Sequence, residues 1–133
     1  MLIAIANQKG GVGKTTTTLT LGHALVQAGR KVLLVDLDPQ ASLTLHAGFE
    51  ILNLQHSLAQ VLLSAVRGSP PDTLHQQILQ TIQPTAIEGL HLLPTNLDLS
   101  AVELQLFAAF SRERVLARVL SPLKAHYDDI LID

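Results

Sequence analysis

The sequence predicts an α/β fold, a mostly parallel sheet flanked by helices. Three observations predict it. The runs Leu2-Ile3-Ala4-Ile5-Ala6, Val32-Leu33-Leu34-Val35 and Ile130-Leu131-Ile132 are apolar throughout, without the alternation of a half-exposed strand, and so read as strands buried on both faces. A helical pattern separates the first two, which makes strand, helix, strand a right-handed βαβ unit. The second and last runs lead into aspartates, at the carboxyl ends where open parallel sheets bind ligands.

The first strand, residues 2–6, opens almost directly into Lys9-Gly10-Gly11-Val12-Gly13-Lys14-Thr15-Thr16. Its glycines let the backbone curl so that successive N–H groups point inward and form an anion-binding concavity. The following helix aims its positive end at the same spot. Lys14 can then reach the outer phosphates of a nucleotide, and the Thr15 hydroxyl is placed to ligate magnesium. A glycine-rich turn that merely links strand to helix is the competing reading; the strand in front and Lys-Thr-Thr behind favour the phosphate loop. The general pattern G-x-x-x-x-G-K-[ST] asks for glycine where Gln8 stands, and a second lysine, Lys9, fronts the loop instead.

From Gly13 to about position 28 the apolar face Leu19, Leu21, Ala24, Leu25 and Ala28 predicts a helix, and Gly29 stops it. The second strand, 32–35, runs into Asp36-Leu37-Asp38-Pro39-Gln40. Asp before Pro also starts turns and caps, but after a phosphate loop the ligand-facing reading is the stronger one. Residues 41–56 show no clear period: Ser42, Gly48 and Asn53 interrupt it, while Leu43, Leu45, Phe49, Ile51 and Leu52 are expected to be partly buried.

Ser57 is expected to cap a helix through about 66, with Leu58, Val61, Leu62 and Ala65 on one face, ended by Gly68-Ser69-Pro70-Pro71. Asp72 is expected to cap another to about 82, with Leu74, Ile78 and Leu79 inward. Pro84 and Gly89 bracket a loop before a third strand at 90–94. Ser100-Ala101-Val102-Glu103 reads as a capping box that starts a helix near 101, running to about 110. A last helix spans about 112–125, apolar at Val115, Leu116, Val119, Leu120 and Leu123, with Pro122 kinking or shortening its final turn. The fourth strand lies within 127–133 and ends on Asp133, a Walker B arrangement whose carboxylate holds the hydration shell of magnesium.

The 133 residues amount to one domain, large enough for a real core. Nine basic against eleven acidic residues, a net charge of −2, argue against a strongly basic nucleic-acid footprint within this stretch. With no cysteine, disulfides and thiolate metal sites are excluded and a reducing cytoplasm suits the composition. No signal peptide and no apolar run of about 18 residues is visible. The six histidines show no metal-ligand spacing and read as surface or packing residues. Because a domain does not normally stop at the tip of a central strand, the chain is expected to be the N-terminal part of a single domain, truncated after the Walker B strand.

The pattern K-G-G-x-G-K-[ST]-[ST] resembles the deviant Walker A loop of the ParA/MinD/nitrogenase-iron-protein ATPases. With Ala6-Asn7-Gln8 before the loop, Asp36-Leu37-Asp38-Pro39-Gln40 after the second strand, and Tyr127-Asp128-Asp129-Ile130-Leu131-Ile132-Asp133 at the end, the chain resembles ParA/Soj-type partition ATPases over its full length. That resemblance implies a P-loop NTPase-type sheet that binds ATP with Mg2+ and dimerises with two nucleotides sandwiched between subunits. It also implies a cytoplasmic, nucleoid-associated protein without a membrane partner. Such a protein binds DNA non-specifically through residues beyond 133 and hydrolyses ATP under stimulation by a ParB-type partner.

Carried over, Lys14 holds the β- and γ-phosphates, and Lys9 reaches the partner subunit's ATP across the interface. Gly10 sits where the subunits meet, and Gly11, Val12 and Gly13 complete the loop. Thr15 ligates magnesium and Thr16 meets the α-phosphate. Asp38 positions the attacking water and, with Asp36, belongs to the metal site, and Asp133 acts through a metal-bound water. The alternatives are a MinD-like ATPase recruited to a membrane by a C-terminal amphipathic helix, and a non-catalytic truncated fragment.

Overall fold

The computed structural model describes residues 1–6, 13–108 and 112–133. Among them, the strands are β1 (Leu2–Ala4), β2 (Val32–Val35), β3 (Gln83–Pro84), β4 (Leu90–Leu93) and β5 (Asp129–Ile132). They form one sheet in the order β1-β5-β2-β4-β3, parallel except for the last pair. The helices are α1 (Lys14–Gln27), α2 (Ser42–His46), α3 (Leu58–Val66), α4 (Pro71–Thr81), α5 (Leu99–Ala108) and α6 (Arg112–Leu120). This is the mostly parallel α/β architecture that the apolar runs predict.

Side chains along a strand alternate between its faces, so a strand covered on both sides is apolar at every position. In β2, Val32 and Leu34 join Leu90, Leu92 and Leu131 beneath α1 and α2. Leu33 and Val35 join Leu93, Ile130 and Ile132 beneath α3, α4, α5 and α6. The result is three layers with β2 and β5 at the centre. Against the first layer α1 lies very close: a methyl built on Gly22 would stand 3.0 Å from Leu34 Cδ2 and 3.1 Å from Leu90 Cδ1.

Where boundaries differ from expectation, a specific interaction decides each. The first strand is shorter, although Ile5 still donates a 2.8 Å hydrogen bond to the Ile132 carbonyl. The unread stretch 41–56 holds the single turn of α2 and a 3₁₀ turn at Ile51–Asn53. Ser57 caps α3 in a reciprocal box with Gln60, the S-x-x-Q spacing that favours one. Asp72 does not cap α4: Pro70 does, with Pro71 at the first helical position, and Asp72 sits in the first turn near the positive end.

Ser100 does not cap α5 either. That helix begins at Leu99, and the Asp98 carbonyl accepts the Ala101 and Val102 N–H groups at 3.1 and 3.2 Å. The Asn96 side chain, accepting the Asp98 N–H at 3.1 Å, makes the turn into the helix, so the box motif falls inside it. After α6 the chain tightens to a 3₁₀ turn, Ser121–Ala125, around Pro122, the shortening expected of that proline. The two-residue strand β3, in sequence read as loop, is an edge, where Pro84 is tolerated.

Candidate functional site

The same alternation carries the acids to one side of the sheet. Asp133 follows β5 two residues after Leu131, and so faces the α1 layer as Leu131 does. There the Thr15 hydroxyl donates to Asp133 Oδ2 at 2.8 Å. Thr18, a turn later on α1 and fully buried, reaches Asp133 Oδ1 at 3.3 Å and the Lys14 carbonyl at 2.8 Å. Backbone bonds fix the acid itself, with its N–H on the Val35 carbonyl at 2.9 Å and its carbonyl accepting the Leu37 N–H at 2.9 Å. Gly13 starts α1 at φ 85°, left-handed backbone that glycine adopts without strain.

Asp36 follows β2 two residues after Leu34 and faces the same layer, where it is wholly buried. Its Oδ2 accepts the Thr44 N–H at 2.8 Å and the Thr44 hydroxyl at 2.6 Å, and its Oδ1 accepts the Asp38 N–H at 3.1 Å. Burial raises its pKa above the ordinary carboxylate value. The hydrogen bonds from Thr44 and Asp38 pull the other way, and the neighbouring Asp133 charge adds to the rise. Asp38 stands half-buried on the following turn, which closes through the Ala41 N–H on the Asp38 carbonyl at 2.8 Å. Its Oδ1 accepts the Gln40 N–H at 3.0 Å.

The structure therefore brings Lys14, Thr15, Asp36 and Asp133 to the carboxyl end of the sheet, with Asp38 on the turn beyond β2. Thr16 lies exposed on the first turn of α1. Lys9, Gly10, Gly11 and Val12 lie outside the described residues, as do Asn7 and Gln8. Sequence reasoning passed over Thr18 and Thr44. Thr18 was visible as the residue one turn after Thr15 on the same helix face; nothing in the sequence pairs Thr44 with Asp36.

Among the described residues, no group of three or more His, Cys, Asp or Glu could cage a metal ion. What α1 and β5 supply is a hydroxyl and a carboxylate, hard oxygen donors too few to bind a cation alone. That donor set fits magnesium, which keeps several waters and is held by one or two protein oxygens together with substrate phosphates.

Residues 1–133, the whole of this sequence, match the model of the AAA domain family. The chain belongs to that family. Its relatives place this AAA-family chain in the ParA/MinD superfamily of ATPases. It is 38% identical to the sporulation initiation inhibitor protein Soj of Bacillus subtilis, over 99% of this chain and 48% of Soj. Among solved structures it is similar to cobyrinic acid a,c-diamide synthase of Mycobacterium smegmatis with a bound ATP analogue and magnesium. There the TM-score is 0.85 at 42% identity, covering 99% of this chain and 50% of the other. A McdA–ATP complex from Cyanothece superposes with a TM-score of 0.83 at 30% identity, over 99% of this chain and 46% of McdA. The AAA-family chain thus spans about half the length of the relatives it matches. No helix among its described residues is long and apolar enough to cross a membrane.

Proposed function

We propose that this chain is the nucleotide-binding N-terminal part of a partition ATPase, a cytoplasmic enzyme that converts ATP and water to ADP and phosphate. One observation carries the reading: Thr15 at the start of α1 touches Asp133 at the end of β5, 2.8 Å apart, beside the positive end of the helix. Lys14 binds the β- and γ-phosphates and Thr16 the α-phosphate. Thr15 ligates Mg2+ and Asp133 orients one of its waters, while Asp36 supports the same corner. Bound there, the cation neutralises charge on the phosphates. Asp38 orients the attacking water.

Soj and McdA, as relatives, support the finer assignment: an ATP-dependent homodimer in which Lys9 and Gly10 meet the other subunit. Non-specific DNA binding on the nucleoid and stimulation by a ParB-type protein complete it. The diamide synthase structure holds an ATP analogue and magnesium and is matched over 50% of its length, which supports the ATP site proposed here.

The test is made in the full reading frame. Lys14→Ala should lose ATP binding, measured by calorimetry, whereas Asp38→Ala should bind ATP with near wild-type affinity and turn over at least tenfold more slowly. Normal turnover by Asp38→Ala removes that residue from the mechanism.

A further inference from the structure

The segment that carries Asp38 runs from the end of β2 to α2, and one buried carboxylate holds it at both ends. Asp36 Oδ1 takes the Asp38 N–H at 3.1 Å, and Asp36 Oδ2 takes both the backbone N–H and the hydroxyl of Thr44, at 2.8 and 2.6 Å. The Thr44 hydroxyl is in turn an acceptor, receiving the Thr95 N–H just past β4 at 3.1 Å. Asp36, Thr44 and Thr95 are all fully buried, so water does not compete for these bonds. Thr44 is thereby the junction of three elements: the ends of β2 and β4, which belong to the rigid sheet, and α2, which ends the Asp38 turn.

Besides its own bonds from the Gln40 and Ala41 N–H groups to Asp38, the turn carries a strained residue. Ala41, which starts α2, has φ 55°, a left-handed conformation that costs a residue with a Cβ and persists only where surroundings impose it. The Asp36–Thr44 contacts are three residues further on, at the point where such an imposition acts.

We propose that Thr44 is a positioning residue for hydrolysis: its hydroxyl ties the Asp38 turn to the sheet through Asp36 and the Thr95 N–H, and thereby sets where the Asp38 carboxylate stands. This rests on the assignment of Asp38 above. Among the described residues Thr44 has no hydrogen bond to Lys14, Thr15 or Asp133, and its link to the site runs through Asp36 alone, so its loss should weigh on turnover far more than on nucleotide affinity.

The experiment is ATP affinity, kcat and thermal melting of the full-reading-frame protein carrying Thr44→Ala, Thr44→Val or Thr44→Ser. Alanine removes the hydroxyl and leaves space, valine removes it at constant shape, and serine restores it. The expected result is ATP affinity within twofold of wild type in all three. In the alanine and valine variants kcat should fall about tenfold or more, and in the serine variant it should stay within about threefold. Wild-type kcat in either hydroxyl-less variant overturns the proposal. So does a parallel loss of affinity and kcat, or loss of the cooperative melt in both, since each assigns Thr44 to stability alone. If instead the wild-type protein neither binds nor hydrolyses ATP, the functional reading itself has failed, and the positioning role falls with it.

Discussion

The hydroxyl of Thr15 donates to the carboxylate of Asp133 across a separation of 118 residues, and that bond joins the front of the first helix to the tip of the last strand. It exists because β5 pairs between β1 and β2, so the strand that closes the chain lies directly under the helix that follows the first strand. A phosphate loop and an acid thus meet through sheet order rather than through sequence proximity.

Asp133→Asn should expose what that carboxylate does. It keeps the shape and an acceptor for Thr15, but loses the charge that draws a hydrated cation. Nucleotide affinity measured with Mg2+ should drop about tenfold, while affinity measured in EDTA should stay within twofold. An equal drop in both conditions would show that Asp133 shapes the phosphate loop instead of serving the metal.

Gly22 tests the packing of the first layer. A methyl there meets Leu34 and Leu90 at 3.0 and 3.1 Å, and both leucines are themselves buried. In Gly22→Ala, better helix propensity of about 1 kcal/mol offsets this crowding, so the change in stability should be under about 1 kcal/mol. Gly22→Val adds two more methyl groups and a β-branch, and should destabilise by about 1–3 kcal/mol in urea titration. A neutral Gly22→Val would mean that α1 can lift from the sheet without cost.

At the opposite end of the sheet, Asp129 is nearly buried beneath Arg30, whose Nη2 donates to Oδ1 at 3.1 Å and whose Nε donates to Oδ2. The Arg30 hydrogen bonds hold the Asp129 carboxyl below its ordinary pKa, against the opposing effect of burial; the Arg30 charge and the N-terminal amine add to the lowering. A carboxyl lowered in the folded state stabilises the fold above its unfolded pKa of about 3.9, and that contribution is lost as pH falls through the lower, folded value. This part of the acid sensitivity should therefore appear only below about pH 4 and be missing from Asp129→Asn. Melting curves from pH 7 to pH 2.5 check it; an identical acid slope in the variant would assign the loss to other carboxylates.

Much of this was legible because two periodicities coincide. Strand alternation, carried past Leu34 to Asp36 and past Leu131 to Asp133, puts each acid on the face of the leucine two residues before it. The loop motif names Lys14 and Thr15 in the same way. What stayed hidden depends on contacts between distant segments. Thr44 gains its role from Thr95 just past β4, 51 residues away, and a five-residue helix has too few positions to show a period. Ser100 carried a valid capping motif, yet Asn96 and Asp98 turned the chain earlier, so a local rule lost to a local competitor. β3 is two residues long and contains proline, and no propensity argument would call it a strand.

The edge of the sheet at β1 supports a last prediction. Among the described residues β1 pairs only with β5, so the backbone groups on its other side are unpaired. Its burial alternates: Ile3 is half-buried against the α1 layer, while Leu2, 42% exposed, and Ala4, also exposed, lie on the other face. Neither charge nor proline interrupts Leu2–Ala4, and such an edge offers a template for another strand. Residues 1–133 expressed alone should therefore self-associate as concentration rises. Leu2→Lys places a charge on the exposed face while leaving Ile3 on its core, so it should shift the gel-filtration profile toward monomer without lowering the melting temperature. If the unmodified chain stays monomeric at every concentration, or if Leu2→Lys leaves the association unchanged, the edge strand is not its cause.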